Sequence, residues 1–417
     1  MRMLTAIVDA RVFDGERVID APTVVIDGAG IEAVGGPVPP GATIVDAAGG
    51  TLMPGLIDSH THTSLDNLGL ALRFGVTTEL EMMGHWTPAE RQAINERDNV
   101  ADVRSAGMAI TPPGGHPSEY GPPDEGTSRG HMPRGRDGDD DLPGDFAIPF
   151  CSTPEETVKM IERQVAEGYD YIKIMIEDGT VLGCPGLPMI SNEVLTTAVK
   201  EAHRHGKLAI AHITTADGAR RAVAAGVDGL GHVFIDGPHT PELIAAIAGS
   251  GAFVIPTLTV VASAMGHAGA GFAADDRVRG KLGREWLEAL AGSMNVYPQG
   301  NLDNAFGAVV ALHAAGVDIL AGTDVSEPRP GFGGMAHGAS LHHELQLLVT
   351  AGLTPVQALR AATSTPAHRF GLTDRGRITR GARADLLLVD GDPATTISDS
   401  LSIRAVWRRG VHQAPVA

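Results

Sequence analysis

Between residues 53 and 369, short apolar runs alternate with longer amphipathic stretches. An apolar run bounded by Gly, Pro or Asp is typical of a buried strand, whereas apolar positions three and four apart predict a helix. The strand candidates are LMPGLIDSHTH, VTTELEMM, GMAIT, YIKIMI, LAIAHI, GLGHV, AFVIPT and DILAGTD. The helix candidates between them include TPEETVKMIERQVAEG, SNEVLTTAVKEAHRHG, TADGARRAVAAG, PELIAAIAGSG and NAFGAVVALHAAG. Repeated strand–helix units predict an α/β protein with a (β/α)8 TIM barrel, whose active site lies at the carboxyl ends of its strands.

The two ends of the chain have a different pattern. Short apolar runs separated by Gly and Asp fill the first 52 residues, and the same pattern returns in GRITRGARADLLLVDGD and IRAVWRRGVHQ. Neither end is long enough to fold alone. We therefore predict a small β-sandwich domain composed of residues 1–52 and 370–417, with the barrel of residues 53–369 inserted between them.

Residues 117–149 interrupt the barrel pattern with a stretch rich in Pro, Gly and charge. An insertion after a barrel strand lies at the catalytic rim, where it can cover the pocket. The sequence leaves two interpretations open, a lid over the active site and a disordered loop.

Composition narrows the class of partner. The formal net charge is −18, and a surface that binds nucleic acid must be basic, so a nucleic-acid partner is not expected. No apolar run approaches the ~18 residues of a membrane span, and the N-terminus lacks the pattern of a signal peptide, so we expect a cytoplasmic protein with no membrane partner. The two cysteines, Cys151 and Cys184, are too few for a disulfide framework. A small-molecule substrate is expected, and a homo-oligomer is compatible with the sequence.

Two histidines close the first barrel strand. With 17 His in the chain, about one His-x-His pair would occur by chance, so the pair His60 and His62 has to be judged by its context. Residues i and i+2 of a strand point to the same face, and at the end of a strand both would point into the barrel mouth. The other such pair, His203 and His205, ends a predicted helix, where the helix dipole explains a histidine better.

Three later strands also end in residues that can bind a metal. His212 ends LAIAHI, His232 follows GLG, and Asp324 ends DILAGTD. A single histidine in such a place is more often a core residue, but the barrel fold brings equivalent strand ends to one rim. Four imidazoles and a carboxylate form a site for Zn²⁺ or a similar divalent cation.

Lys173 lies within the fourth strand candidate, YIKIMI. Burial of an ammonium group is costly, so this lysine either extends to the rim, pairs with an acid such as Glu177, or loses its proton. A neutral amine beside two metals can take up CO₂ and become a carbamate that bridges both cations.

The ordered set PGLIDSHTH, YIKIMI, AIAHI, GLGHV, VIPTL and LAGTD resembles the barrel motifs of the amidohydrolase superfamily, in the branch of imidazolonepropionases and prolidase-like (Xaa-Pro) dipeptidases. The segment ATSTPAHRFGLTDRGRITRGARADLLLVDGDP resembles that family's return to its β domain. The resemblance implies two Zn²⁺ ions, although other divalent metals would also fit. It assigns His60, His62 and Asp324 to the more buried ion, His212 and His232 to the more exposed one, and carboxylated Lys173 to both.

The resemblance also implies substrate contacts. His116 in PPGGHPSEY would touch substrate or stabilise an oxyanion, and Tyr120 and His337 would line the pocket. Each of the two histidines could instead be an ordinary loop residue. One departure from the family pattern is IMIEDGT, which places Glu177 and Asp178 after the lysine where many relatives have a Gly-rich run.

The implied reaction is hydrolysis of a small-molecule amide, such as an N-acyl amino acid or dipeptide, by metal-bridging hydroxide with Asp324 as general base. A cyclic amide, an ester or lactone, a carbamate or a phosphotriester would suit the same metals. A non-catalytic scaffold is the alternative of another class. The sequence contains neither a Gly-x-Ser-x-Gly nucleophile motif nor a phosphate-binding Gly-x-x-x-x-Gly-Lys-Ser/Thr loop.

Overall fold

The structure is a computed structural model that describes residues 4–120, 150–328 and 331–413. Its strands are β1 (Leu4–Val8), β2 (Arg11–Phe13), β3 (Val18–Ile19), β4 (Val24–Asp27), β5 (Gly30–Val34), β6 (Thr43–Asp46), β7 (Thr51–Pro54), β8 (Leu56–Thr61), β9 (Val76–Glu81), β10 (Asp102–Ser105), β11 (Ile172–Ile176), β12 (Ala209–Ile213), β13 (Gly229–Gly231), β14 (Phe253–Ile255), β15 (Leu386–Val389), β16 (Ile403–Arg408) and β17 (Val411–His412).

Its α-helices are α1 (Leu65–Arg73), α2 (Pro88–Glu96), α3 (Pro154–Ala166), α4 (Asn192–Arg204), α5 (Ala216–Ala225), α6 (Pro241–Ser250), α7 (Leu258–Ala264), α8 (Ala270–Ala273), α9 (Asp276–Arg279), α10 (Arg284–Ala291), α11 (Leu302–Ala314), α12 (Ala339–Ala351), α13 (Pro355–Ala361) and α14 (Ser364–Arg369). Short 3₁₀ helices cover Ser118–Tyr120, Thr180–Leu182 and Ile397–Leu401. None of the helices in the described ranges has the length and hydropathy needed to span a membrane.

Parallel pairing joins the strands of the central region in chain order. One sheet runs β8, β9, β10 and a second runs β11, β12, β13, β14. Single parallel bridges connect them: Ile110 with Ile174, Val254 with Ile319, and Thr61 with Val325. The last bridge returns the chain to its first barrel strand. This order of parallel strands with intervening helices is the arrangement of a TIM-barrel-type α/β fold.

Two of the predicted strands differ from the structure. In place of GMAIT, the third strand is Asp102–Ser105, and Ile110 contributes only a bridge. The segment DILAGTD likewise forms no named strand, and it is connected by single bridges at Ile319 and at Val325, the residue that follows it. The polar residues of β10 did not predict a buried strand. Asp102 is fully buried because it forms an ion pair with Arg375, which is distant in the sequence.

The helices that flank the strands begin where their capping residues predict. The side chain of Thr153 caps α3 and forms a capping box with Glu156, and Ser191 caps α4. At the other end, Gly226 adopts φ +88° and terminates α5. These caps satisfy backbone groups that would otherwise lack partners, and the apolar face of each helix is left to pack on the strands.

Strands from both ends of the chain share one sheet. Its order is β17, β16, β15, β7, β2, β3, so β15 from the C-terminal end pairs directly with β7 from the N-terminal end. A second sheet has the order β5, β4, β1, β6. Buried side chains of both sheets, among them Ile7, Leu52, Leu388 and Trp407, form one apolar cluster.

Buried arginines connect the C-terminal segment to the base of the strands. Arg375 forms an ion pair with Asp102 and donates to Thr78 Oγ1 at 3.1 Å. Arg408 is fully buried, pairs with Asp385 at 3.2 Å and donates to the carbonyl of Val100. Each buried charge therefore has an opposite partner, without which its burial would be strongly unfavourable.

Candidate active site

A cleft opens at the carboxyl ends of the barrel strands. Its volume is about 1070 Å³, the open mouth included. Of the residues singled out from the sequence, those that line it are His60, His62, His116, Tyr120, Lys173, His212, His232 and Asp324. The predicted lid falls mainly on residues 121–149, which lie outside the described residues.

His60, His62 and Asp324 form a compact group at the floor of the cleft. His60 Nε2 and His62 Nε2 lie 3.2 Å and 3.1 Å from the same oxygen, Asp324 Oδ1. One ligand atom from each residue lies within 4.8 Å of the other two. Two nitrogens and one carboxylate oxygen at this spacing form a donor set that fits a divalent cation.

His212 and His232 face each other beside this group. His212 Nδ1 lies 3.1 Å from His232 Nε2. The other ring nitrogen of His232, Nδ1, lies 2.6 Å from Thr257 Oγ1, and that hydroxyl donates its own proton to the carbonyl of Pro256. Thr257 must therefore accept a proton from Nδ1, and Nε2 of His232 presents a lone pair to His212.

The backbone turns at the strand ends that carry these ligands. His232 and Asp324 have φ angles of +74° and +59°, and Thr257 has +49°. Non-glycine residues seldom adopt this left-handed conformation, and where they do, they concentrate at functional sites.

The charge states of three of the imidazoles suit metal binding. Burial, together with the nearby charge of Lys173, lowers the pKa of His60 to about 3. Burial also lowers the pKa values of His212 and His232 well below the usual range. These rings are therefore neutral at physiological pH, and neutral imidazole is the form that binds a cation.

Lys173 lies at the centre of the cluster. Its Nζ is 3.4 Å from His60 Nε2, and burial lowers its pKa to about 7. No acid within the described ranges forms an ion pair with it. The alternative that Lys173 pairs with Glu177 is wrong, because the Glu177 carboxylate contacts His212 instead. A buried amine with this pKa is often neutral, which is the form that carboxylation requires.

His116 and Tyr120 lie together at the wall of the cleft. Glu119 Oε1 is 2.5 Å from His116 Nδ1, and the His116 ring lies 4.5 Å from that of His212. Tyr120 packs edge-on against Phe332 at 4.9 Å. The contact with Glu119 fixes one ring nitrogen of His116 and leaves Nε2 available to the cleft.

The structure places His337 elsewhere. It is fully buried, is not among the residues lining the cleft, and its Nδ1 lies 3.0 Å from Glu79 Oε1. The prediction that His337 lines the pocket does not hold, because Glu79 on β9 holds the ring in the interior. The other His-x-His pair lies at a helix end, as predicted: His203 is in the last turn of α4 and contacts Asp228, and His205 is the C-cap residue and contacts Glu201.

Several residues that hold the site together were missed from the sequence. Met83 contributes its carbonyl oxygen, 3.0 Å from His62 Nδ1, and Thr257 and Glu119 contact other histidines. Glu177 stands out in the sequence as a candidate partner of Lys173 and as a departure from the family pattern, but not as a partner of His212. No local signal identifies such partners, since each of Met83, Thr257 and Glu177 is distant in sequence from the histidine it contacts.

The chain is similar to known proteins over most of its length. An ochratoxinase of Aspergillus niger is 27% identical over 400 residues, which cover 86% of this chain and 75% of that protein. An uncharacterized protein of Mycobacterium tuberculosis is 27% identical over 377 residues, covering 86% of this chain and 83% of that protein. The structure of a Xaa-Pro dipeptidase with bound methionine shares the fold, with a TM-score of 0.72, 23% identity and coverage of 98% and 99%. The sequence pattern of the family described as "Amidohydrolase family" matches residues 51–412 of this chain. The chain belongs to the amidohydrolase family and is a hydrolase that acts on carbon–nitrogen bonds.

Proposed function

We propose that the protein hydrolyses an amide bond of a small, uncharged and largely apolar molecule with the help of divalent cations. The observation that carries this proposal is the convergence of six side chains, from distant parts of the sequence, at the floor of an apolar cleft. The amide-hydrolysing and related activities named among its relatives support the same reaction type.

The donor groups indicate where the cations belong. His60, His62 and Asp324 would hold one ion, His212 and His232 a second, and Lys173, carboxylated on Nζ, would contact both. Nitrogen and oxygen donors of this kind suit Zn²⁺. When bound, such cations polarise a carbonyl group and lower the pKa of water towards neutrality.

The side chains around this floor have distinct tasks. Asp324 lines the cleft, and while its Oδ1 contacts the two histidines, Oδ2 can accept a proton from the attacking water and return it to the leaving nitrogen. His116, held through Nδ1 by Glu119, presents Nε2 towards the substrate carbonyl oxygen. Tyr120 and Phe332 form an aromatic wall that excludes water from this step.

The rest of the cleft determines the substrate class. Its walls are formed largely by Val181, Leu182, Val260, Val261, Met294 and Phe332. Among the described residues that line it, no arginine occurs, and Lys173 lies at the floor. A free carboxylate on the substrate would therefore lose water without gaining a cationic partner from these walls, which costs several kcal/mol. We therefore propose that apolar amides are better substrates than N-acyl amino acids or dipeptides.

A pair of chromogenic amides tests this function. Pentanoyl-4-nitroanilide and succinyl-4-nitroanilide have acyl groups of similar length, and the second carries a carboxylate. We expect the Zn²⁺-loaded enzyme to release 4-nitroaniline from the pentanoyl compound with a kcat/KM at least about tenfold higher, since 1.4 kcal/mol is a factor of ten. Faster hydrolysis of the succinyl compound would contradict the substrate class, and hydrolysis of neither would contradict the function.

Asp324→Ala tests the assignment of Asp324 as a cation ligand and proton carrier. We expect turnover to be lost, while the far-UV circular dichroism and the unfolding midpoint of the metal-free variant remain close to those of metal-free wild type. Asp318→Ala is the matched control, because Asp318 lies six positions earlier at the other end of the same segment and pairs with Arg369. Near-normal turnover in the Asp324 variant would refute the assignment.

A further inference from the structure

Glu177 is a buried acid that the reaction described above does not use. It follows β11, the strand that carries Lys173, and its side chain is 0% exposed. Its Oε1 accepts a hydrogen bond from the Gly179 amide at 2.7 Å. Its Oε2 accepts from the hydroxyl of Thr214 and lies 3.1 Å from His212 Nε2.

These contacts settle which nitrogen of His212 carries the proton. A carboxylate oxygen accepts hydrogen bonds, so Nε2 must be the protonated nitrogen of the neutral ring. Nδ1 of His212 then presents a lone pair. Because His232 Nε2 also presents a lone pair, two unprotonated nitrogens face each other at 3.1 Å. That arrangement is unfavourable unless a cation lies between or beside them.

We propose that Glu177 is a positioning residue that fixes the tautomer and orientation of His212, so that its Nδ1 can bind the second cation. The proposal rests on the proposed function, since it concerns the second cation of that site. Carboxylates that hold the outer nitrogen of a metal-bound histidine raise its basicity and restrict its rotation, and their loss typically weakens metal binding 10- to 100-fold. Glu177 thus has a defined purpose at the position where this chain departs from the Gly-rich run.

The test measures cation binding, with activity as a secondary readout. Metal-free wild type, Glu177→Ala and Glu177→Gln are titrated with Co²⁺, followed by visible absorption and by elemental analysis after gel filtration. For Glu177→Ala we expect the first ion to bind as in wild type and the second to bind about 10- to 100-fold more weakly. Glu177→Gln retains an oxygen acceptor and should lose less.

Asp178→Asn is the matched control. Asp178 is the adjacent acid, does not line the cleft, and accepts from the Thr180 amide at 2.8 Å, a bond that asparagine can keep. We expect this variant to bind both ions as wild type does. Equal affinity for the second ion in Glu177→Ala and wild type would overturn the proposal.

A second measurement separates this proposal from the proposed function. The ¹⁵N chemical shifts of the His212 ring in metal-free protein report its tautomer directly. We expect the Nε2–H form in wild type and a mixture of forms in Glu177→Ala. Binding of fewer than two ions by wild type would contradict the binuclear function. An unchanged His212 tautomer in Glu177→Ala would overturn the proposed role of Glu177, whatever the number of bound ions. Thr214→Val, which removes one donor to the same carboxylate oxygen, provides a milder variant if Glu177→Ala does not fold.

Discussion

Gly231 on β13 offers a sensitive test of the position of Lys173. It immediately precedes His232, and it has no side chain to occupy the space beside Lys173 and His60. A Cβ atom at this position would lie 2.8 Å from Lys173 Nζ and 3.2 Å from His60 Cε1. The variant Gly231→Ala therefore adds one methyl group at the centre of the proposed cation site.

The expected size of the effect follows from these distances. Ordinary contacts between heavy atoms begin near 3.5 Å, so Nζ would have to retreat by roughly 0.7 Å and the His60 ring by a smaller amount. Nζ is the end of a flexible side chain, and as a free amine it could move at little cost. Overpacking typically costs about 1–3 kcal/mol, part of which the loss of glycine flexibility in the unfolded chain offsets. If Nζ is carboxylated and shared by two cations, it cannot move away alone, and the added methyl group would displace the cation site with it. A displacement approaching 1 Å at a catalytic site can lower the rate about 100-fold.

We therefore expect Gly231→Ala to fold, with an unfolding free energy within about 2 kcal/mol of wild type. Its metal content should fall, and its kcat/KM on pentanoyl-4-nitroanilide should drop about 100-fold. Elemental analysis, urea denaturation and the anilide assay measure these three quantities. Gly237→Ala is the control, because a Cβ there meets no atom within 4 Å. Wild-type metal content and turnover in Gly231→Ala would show that Lys173 does not occupy this position in the loaded enzyme.

Three further predictions concern the charges of the molecule. Asp102→Asn leaves Arg375 and Arg383 without their buried counter-charge and should lower the unfolding free energy by about 3–5 kcal/mol in urea denaturation. Burial raises the pKa of Asp102, but the charges of Arg375 and Arg104 outweigh it and lower the value from 3.8 to about 2. The stabilisation is therefore fully present above about pH 4 and decreases as the pH falls through 2. A difference between wild type and variant that is as large at pH 2 as at pH 7 would contradict this. Lys173→Met removes the amine that would bear the carbamate, so the second cation should be lost and added bicarbonate should not restore activity. Dialysis against a chelator should abolish anilide hydrolysis and lower the unfolding temperature, and Zn²⁺ should restore both.

The floor of the candidate site could be located from the sequence because a parallel barrel imposes one geometric rule. Every strand ends at the same rim, so residues at equivalent strand ends converge even when they are far apart in the chain. His60, Lys173, His212 and Asp324 all satisfied this rule, and the cleft contains each of them. The pair His203 and His205 lies at a helix end and is not part of the cleft, so the rule separates site histidines from other histidines.

The third strand could not be located in the same way, because its burial depends on distant charges. A local pattern assigns burial to apolar residues, and β10 contains Asp102 and Arg104. Asp102 is buried because arginines at 375 and 383, nearly three hundred positions later, supply the opposite charge. His337 was misplaced for the same reason, since its partner Glu79 is also distant in the sequence.

The protonation of the site histidines shows most clearly what local sequence leaves undetermined. The strand pattern predicts that a histidine reaches the rim, but its outer contact decides which ring nitrogen keeps the proton and which can bind a cation. For His62 that contact is the carbonyl of Met83, for His232 it is Thr257, and for His212 it is Glu177. The result is Nε2 as the inward nitrogen of the first two rings and Nδ1 as that of the third. A sequence that keeps every histidine but changes these partners would still match the motifs, yet its ring tautomers would no longer be fixed, and part of the molecules would present N–H groups in place of lone pairs to a cation.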